Sequence, residues 1–273
     1  MIERELAIAV AVGYAAASIA YIFYLLTRRE TTGWWGSRIL YLALLGHSSW
    51  LAWEHIQLGH LPMVSAHQAI SFVAWGIALA YVVIEFLLAQ RAFGPFVVPV
   101  AFIFQTVAAV FQLLAPSPKP LPEILKSVWF EIHVGTALFS YCAFAIAFAA
   151  GLMHVLLFHE LRLKHLGFFF NRMPSLEILE RINRHAVALG FVFLTIGIGS
   201  GVIWSLRARS GSVLLDAKEI SAVVVWLLYA AAVHTRSRLG WRGQRTAIFS
   251  VVNFILLFLV FCVTSFVLNA HQF

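Results

Sequence analysis

Residues 128–158 read VWFEIHVGTALFSYCAFAIAFAAGLMHVLLF. Glu131 is the one formally charged residue in this run, which exceeds the ~20 apolar residues a helix needs to cross a bilayer. A backbone in hydrocarbon must satisfy its own amides, so the run is predicted to be a transmembrane α-helix. Further runs of similar character give predicted spans at roughly 6–27, 37–57, 68–90, 95–115, 128–158, 185–206, 219–235 and 246–268. The fifth is long enough to tilt or to extend beyond the bilayer. The expected fold class is therefore all-α, a polytopic membrane bundle of about eight transmembrane helices.

Composition agrees. The chain has 273 residues, 62% hydrophobic and 11% charged, which is too apolar for a soluble domain. No long polar stretch separates the spans, so residues 1–273 are read as a single integral membrane domain. The start, Met1-Ile2-Glu3-Arg4-Glu5, lacks a basic n-region and a small-residue cleavage site, so the first span is expected to be a retained helix. The net charge of +7 does not imply nucleic acid as a partner, because the charges follow membrane topology. Cys142 and Cys262 lie in separate apolar runs, and neither CxxC nor CxxCH occurs. A thiol relay and a covalently held c-type haem are thereby excluded, and the two are read as inert core cysteines.

One set of connections carries Arg28, Arg29, Arg38, Arg91, Arg162, Lys164, Arg172, Arg181, Arg184, Arg236, Arg238, Arg242 and Arg245. The other carries Arg4, Lys119, Lys126, Arg207, Arg209 and Lys218, so the division is 13 against 6. The positive-inside rule makes the richer side cytoplasmic and places both termini outside a cell inner (cytoplasmic) membrane. Residues 116–126, PSPKPLPEILK, are then an outer loop, since their prolines forbid a continuous helix. Residues 159–184 form the longest inner connection. From Ser175-Leu176-Glu177-Ile178 onward it reads as a short amphipathic helix on the cytoplasmic surface.

Four histidines fall at two depths in this topology. His133 opens the fifth span and His271 lies in the tail, both on the outer side. His47 is mid-span in the second helix, and His234 is near the inner end of the seventh. An imidazole in hydrocarbon is expensive and needs a partner or a task. Two neutral imidazoles can hold a haem iron from opposite faces, so two levels of histidine point to haem. The blander readings are interfacial histidines bonded to water or headgroups for His133 and His271, a packed polar residue for His47, and a snorkelling side chain for His234. His55, His60 and His67 cluster at an outer loop without helical metal spacing. His154, His159, His165 and His185 are read as markers of the inner water boundary. Glu54 and Glu85 are candidates to orient a histidine, and an interfacial position is preferred for Glu85.

Several motifs are specific. Gly197-Ile198-Gly199-Ser200-Gly201-Val202-Ile203-Trp204 ends the sixth span. It is followed by Asp216-Ala217-Lys218-Glu219, by Trp226-Leu227-Leu228-Tyr229 with His234-Thr235-Arg236, and by Gly240-Trp241-Arg242-Gly243. Upstream stand Ile132-His133-Val134 with Ser140-Tyr141, and Gly59-His60-Leu61-Pro62. Together these resemble the cytochrome c assembly proteins of the CcsA type, with their relatives CcmC and HemX, over roughly residues 40–273. The resemblance implies an outer haem site between two histidines and a second histidine pair within the membrane. His133 and His271 match the outer pair, His47 and His234 the inner one. The family's W-G-x-x-W-x-W-D segment is degenerate here, its tryptophans falling on Arg209, Val213 and Leu215. The tyrosine-glutamate after the G-H-x-P loop is replaced by Ala66-His67-Gln68. Both departures move the chain toward the short HemX or YpjD-like branch and leave a haem-ligating enzyme activity open.

The expected function is therefore a membrane haem-handling protein that binds haem b between histidines and presents or exports it at the outer face. Arg207, Arg209 and Lys218 are candidate partners of the haem propionates, beside Asp216 of the same motif. Implied partners are haem and a cytochrome c assembly protein or apocytochrome c. The alternative is a HemX-like regulator of haem biosynthesis acting on glutamyl-tRNA reductase. A transporter unrelated to haem is disfavoured, since there is no inverted repeat and no Gly/Pro-broken pair of spans.

Overall fold

A computed structural model describes residues 2–88, 91–114, 127–164, 167–208 and 217–267. Among them are eight α-helices and no strand: α1 (Ile2–Thr27), α2 (Glu30–Leu58), α3 (Ala66–Leu88), α4 (Gly94–Leu114), α5 (Val128–Arg162), α6 (Leu176–Ala208), α7 (Ala217–Ser237) and α8 (Gln244–Val267). Seven are long and apolar enough to cross a membrane. α2 has the length, at 29 residues, but its Arg38, Ser48, Ser49, Glu54 and His55 keep it out of that set. Its buried stripe runs Ser37, Leu40, Leu44, His47, Leu51 and Glu54. That spacing puts one polar group after another on the face that meets other helices.

The chain folds as two compact units, Met1–Lys126 with Gly167–Pro174, and Ser127–Leu166 with Ser175–Phe273. In the first, α1 packs against α2 and α4, and α3 against α4 and α2, closing a four-helix ring. Tyr14 and Tyr21 of α1, Leu40 of α2, Val73, Ile77 and Tyr81 of α3 and Val98 of α4 fill its centre. Lipid is as apolar as the core, so close backbone approach through small residues takes over from hydrophobic sorting. Gly94 shows this: a Cβ there would overlap the Tyr21 ring. Gly94→Ala is expected to cost about 1–3 kcal/mol through overpacking. A detergent melt several degrees below that of the parent would show it, and an unshifted melt would contradict this packing.

In the second unit α5 and α6 share the longest interface, with α8 against α5 and α7 against α6 and α8. Phe144 lies over Gly190 of α6 and stacks on Tyr229 of α7 with centroids 3.4 Å apart and planes 10° from parallel. Asn183 ties three helices together: its Nδ2 donates to the Ala147 carbonyl at 2.7 Å, and its Oδ1 accepts from Ser250 at 3.2 Å. Outward positions such as Leu189, Val192 and Ile196 stay exposed, as lipid-facing residues should.

One sequence expectation is corrected here. No separate surface helix begins at Ser175. The Ser175 hydroxyl accepts from the Ile178 amide at 3.4 Å, just after Pro174, and α6 then runs unbroken to Ala208. Leu179, Asn183, Ala186, Val187 and Leu194 are all buried, so a helical stripe joins the charged first turns to the apolar span. Spans five and eight, by contrast, begin where the sequence placed them to within two residues.

Candidate functional site

α5 starts after Ser127, whose hydroxyl caps it by accepting from the Trp129 amide at 3.3 Å. One turn further in, Trp129 and His133 sit on one face, as i and i+4 must. The His133 ring rests on α6, where Gly197 and Gly201 stand one turn apart. A Cβ at Gly201 would come within 2.6 Å of His133 Nδ1 and 2.7 Å of Cε1. Glycine is therefore what lets the imidazole lie flat against the neighbouring helix.

His133 Nδ1 lies 2.7 Å from the Gly197 carbonyl oxygen. A carbonyl only accepts, so the proton is on Nδ1 and the Nε2 lone pair is left available. Among the described residues nothing bonds to Nε2. This second-atom anchoring is how metal-binding histidines are normally held. Aromatic groups and a cation gather at the same end of the unit. Phe130 contacts Trp204 with centroids 5.3 Å apart, and the exposed Arg207 guanidinium lies over the Trp129 ring at 5.0 Å. Trp129, Trp204 and Phe130 thus lie together near the last turns of α6.

His47 is placed differently. Its ring is 0% exposed and stacks on Trp50 at 5.5 Å and 21°. Nδ1 is 3.0 Å from the Tyr14 hydroxyl and Nε2 is 3.0 Å from Ser71 Oγ. Ser71 in turn donates to Gln105 at 2.9 Å, and Gln105 donates to the Ala7 carbonyl at 3.2 Å. Both imidazole nitrogens are occupied by a network linking all four helices of the first unit. His234 belongs to the second unit, where it is exposed in the last turn of α7. His271, Arg209 and Asp216 lie outside the described residues, as does the side chain of Lys218, which falls in the first turn of α7. Within this set, the described residues thus bring His133 and Arg207 to one end of the second unit.

Two residues depart from their expected positions. His154 does not mark a water boundary: it is 2% exposed, stacks on Phe158 at 6.3 Å, and its Nδ1 has no hydrogen-bond partner. Glu85 is not interfacial. It is buried and accepts from Tyr21 and Tyr81 at 2.5 Å on one oxygen. Ser37 at 2.5 Å and Tyr41 at 3.2 Å serve the other, with Arg91 Nε 3.8 Å away. Neither it nor Glu54, which accepts from Gln68 at 2.7 Å, orients a histidine through a described contact. His159 and His185 are exposed, as expected for boundary residues. In the cluster between α2 and α3, His60 contacts the Leu61 carbonyl at 2.9 Å and His67 the Ser65 hydroxyl at 3.2 Å. No group of three or more His, Cys, Asp or Glu side chains able to hold a metal ion occurs among the described residues. Cys142 is buried.

A protein-family model described as "Cytochrome C assembly protein" matches residues 63–271. The match takes in His133, His234, Asp216 and His271, and begins beyond His47. Similar curated proteins carry the name "Cytochrome c biogenesis protein CcsA". That of Chlamydomonas reinhardtii is 30% identical over 77% of this chain and 58% of its own length. That of Guillardia theta is 26% identical over 77% of this chain and 75% of its own. That of Synechococcus sp. (strain CC9902) is 30% identical over 74% and 73%. The chain therefore spans a little over half of the Chlamydomonas reinhardtii relative and about three quarters of the other two.

Proposed function

This multi-pass membrane chain belongs to the cytochrome c assembly protein family, and on that premise we propose that it binds haem b and presents it at the outer membrane face for cytochrome c assembly. His133 supplies one axial nitrogen through Nε2, and His271 is assigned the other. Arg207, Arg209 and Lys218 are assigned to the propionates, beside Asp216. The observation that carries this reading is the His133 Nδ1 contact with the Gly197 carbonyl at 2.7 Å. It fixes the tautomer that an iron ligand needs and raises the basicity of Nε2. The aromatic faces of Trp129 and Trp204 supply apolar surface beside it, which favours a porphyrin over a hydrated ligand.

The inner histidines take a lesser part in the proposal. His47 holds Tyr14 and Ser71 on its two nitrogens, so it fits a satisfied core residue, and no step is routed through it. His234 is free to meet haem at the other end of the second unit, where its exposure is also what snorkelling would give. Presentation needs only that haem be bound, oriented and handed on. The partners assigned are apocytochrome c and other assembly proteins.

A HemX-like regulatory role toward glutamyl-tRNA reductase is the second reading. It is favoured by the absence of tryptophan at positions 209, 213 and 215. Removing the chain from its host separates the two. Presentation requires that covalently held haem disappear from the host's c-type cytochromes while b-type haem persists. Regulation requires altered haem-precursor levels with c-type cytochromes still made, and that outcome would overturn the proposal.

A further inference from the structure

The second unit contains a cleft of about 400 Å³ between α6, α7 and α8, at the end opposite His133. Arg184 of α6, Arg236 at the end of α7 and Arg242 before α8 line its polar side. Val187, Val233 and Phe249 line its apolar side, with Asn183 and Ser250 also in the lining. Arg236 is braced by Glu180, Nη2 to Oε1 at 2.7 Å. Among the described residues no carboxylate pairs with Arg184 or Arg242, and both are exposed. Three like charges on one small cleft repel one another, and one carboxylate neutralises only part of them. Such a cleft is complete when it holds an anion.

The walls say which kind of anion. A hydrated ion gains nothing from Val187, Val233 and Phe249, whereas an amphiphile does. The same helices carry exposed apolar side chains on their other faces, Leu189 and Val192 on α6 and Ile248 and Val252 on α8. Basic pockets between transmembrane helices at the arginine-rich end are suited to acidic lipid headgroups. We infer that the cleft between α6, α7 and α8 is a specific site for an acidic phospholipid, its phosphate held by Arg184, Arg236 and Arg242 and its acyl chains laid along α6 and α8. The site is separate from the proposed haem site at His133 and does not depend on it, although it lies at the end of α7 that carries His234.

The experiment uses the full chain purified in mild detergent. It is exchanged into mixed micelles of neutral phosphatidylcholine alone or doped with phosphatidylglycerol, and retained phospholipid is measured by intact-complex mass spectrometry. The parent is expected to retain phosphatidylglycerol in preference to phosphatidylcholine. The double variant Arg184→Gln, Arg242→Gln is expected to lose that preference about tenfold or more, from two cation contacts. The matched control Arg181→Gln, Arg238→Gln removes the same charge at the same end outside the cleft lining, and is expected to keep it. Equal loss in both variants would reduce the effect to general surface charge and overturn the site. Glycerophosphate binding as tightly as the lipid would make the apolar walls irrelevant and overturn the lipid assignment. Haemin displacing the lipid at equal concentration would reassign the cleft to a porphyrin dicarboxylate. All variants change exposed side chains, and a monodisperse size-exclusion profile confirms that each is folded.

Discussion

Replacing His133 with alanine is expected to reduce haem retention by at least about a hundredfold, since loss of a ligand exceeds the 10- to 100-fold typical of its supporting contacts. The argument starts from the Nε2 lone pair, which the Gly197 carbonyl leaves free by holding the proton on Nδ1. The half-buried ring is set in a slot made by glycine, so truncation removes a ligand without opening the core. Added imidazole should then restore the low-spin spectrum of His133→Ala by filling the slot. Gly201→Leu should reproduce the loss with the histidine intact, because even a Cβ at Gly201 meets the ring at 2.6 Å. Parent-like haem content in His133→Ala, in a variant eluting as a single species, would remove His133 from the site.

The second large effect lies in the first unit and concerns stability. Glu85 gathers hydroxyls from Tyr21, Tyr81, Ser37 and Tyr41, which join α1, α2 and α3 at one end of the ring. Glu85→Ala leaves those hydroxyls without this acceptor, while Arg91 keeps Glu30 and Ser37 as its acceptors. Unmaking a buried hydrogen-bonded carboxylate is expected to cost about 3 kcal/mol or more, lowering the detergent melt by about 10 °C. Glu85→Gln keeps an acceptor of the same shape and should lose less. A melt of Glu85→Ala within a degree of the parent would show that the cluster contributes little. Haem retention should be unaffected, because the cluster belongs to the other unit from His133.

The helices were legible because hydrocarbon permits so few alternatives: long apolar runs such as 128–158 have to be helical. The start of α6 was not. Arg181 and Arg184 made residues 175–184 read as a surface segment, while Leu179 and Asn183 carry the buried stripe that makes it one helix with the span. Depth along a helix can be counted from the sequence, but the face cannot be known until neighbours are placed. That is why Glu85 and His154 read as boundary residues and are buried. It is also why His47 read as a ligand candidate although Tyr14 and Ser71 take both its nitrogens. At His133 the sequence signalled an imidazole at the end of a span. The Gly197 carbonyl that orients it, 64 residues away, and the Gly201 gap that admits it both come from the next helix. The Gly197-x-x-x-Gly201 spacing was the available signal for such close approach.

The most direct test of haem binding is the visible spectrum of the detergent-purified chain, oxidised and reduced, after haem has been supplied. Two imidazole ligands should give a sharp Soret band, with split α and β bands on reduction, as low-spin haem does. No Soret band under those conditions would contradict haem binding and leave His133 as a structural residue.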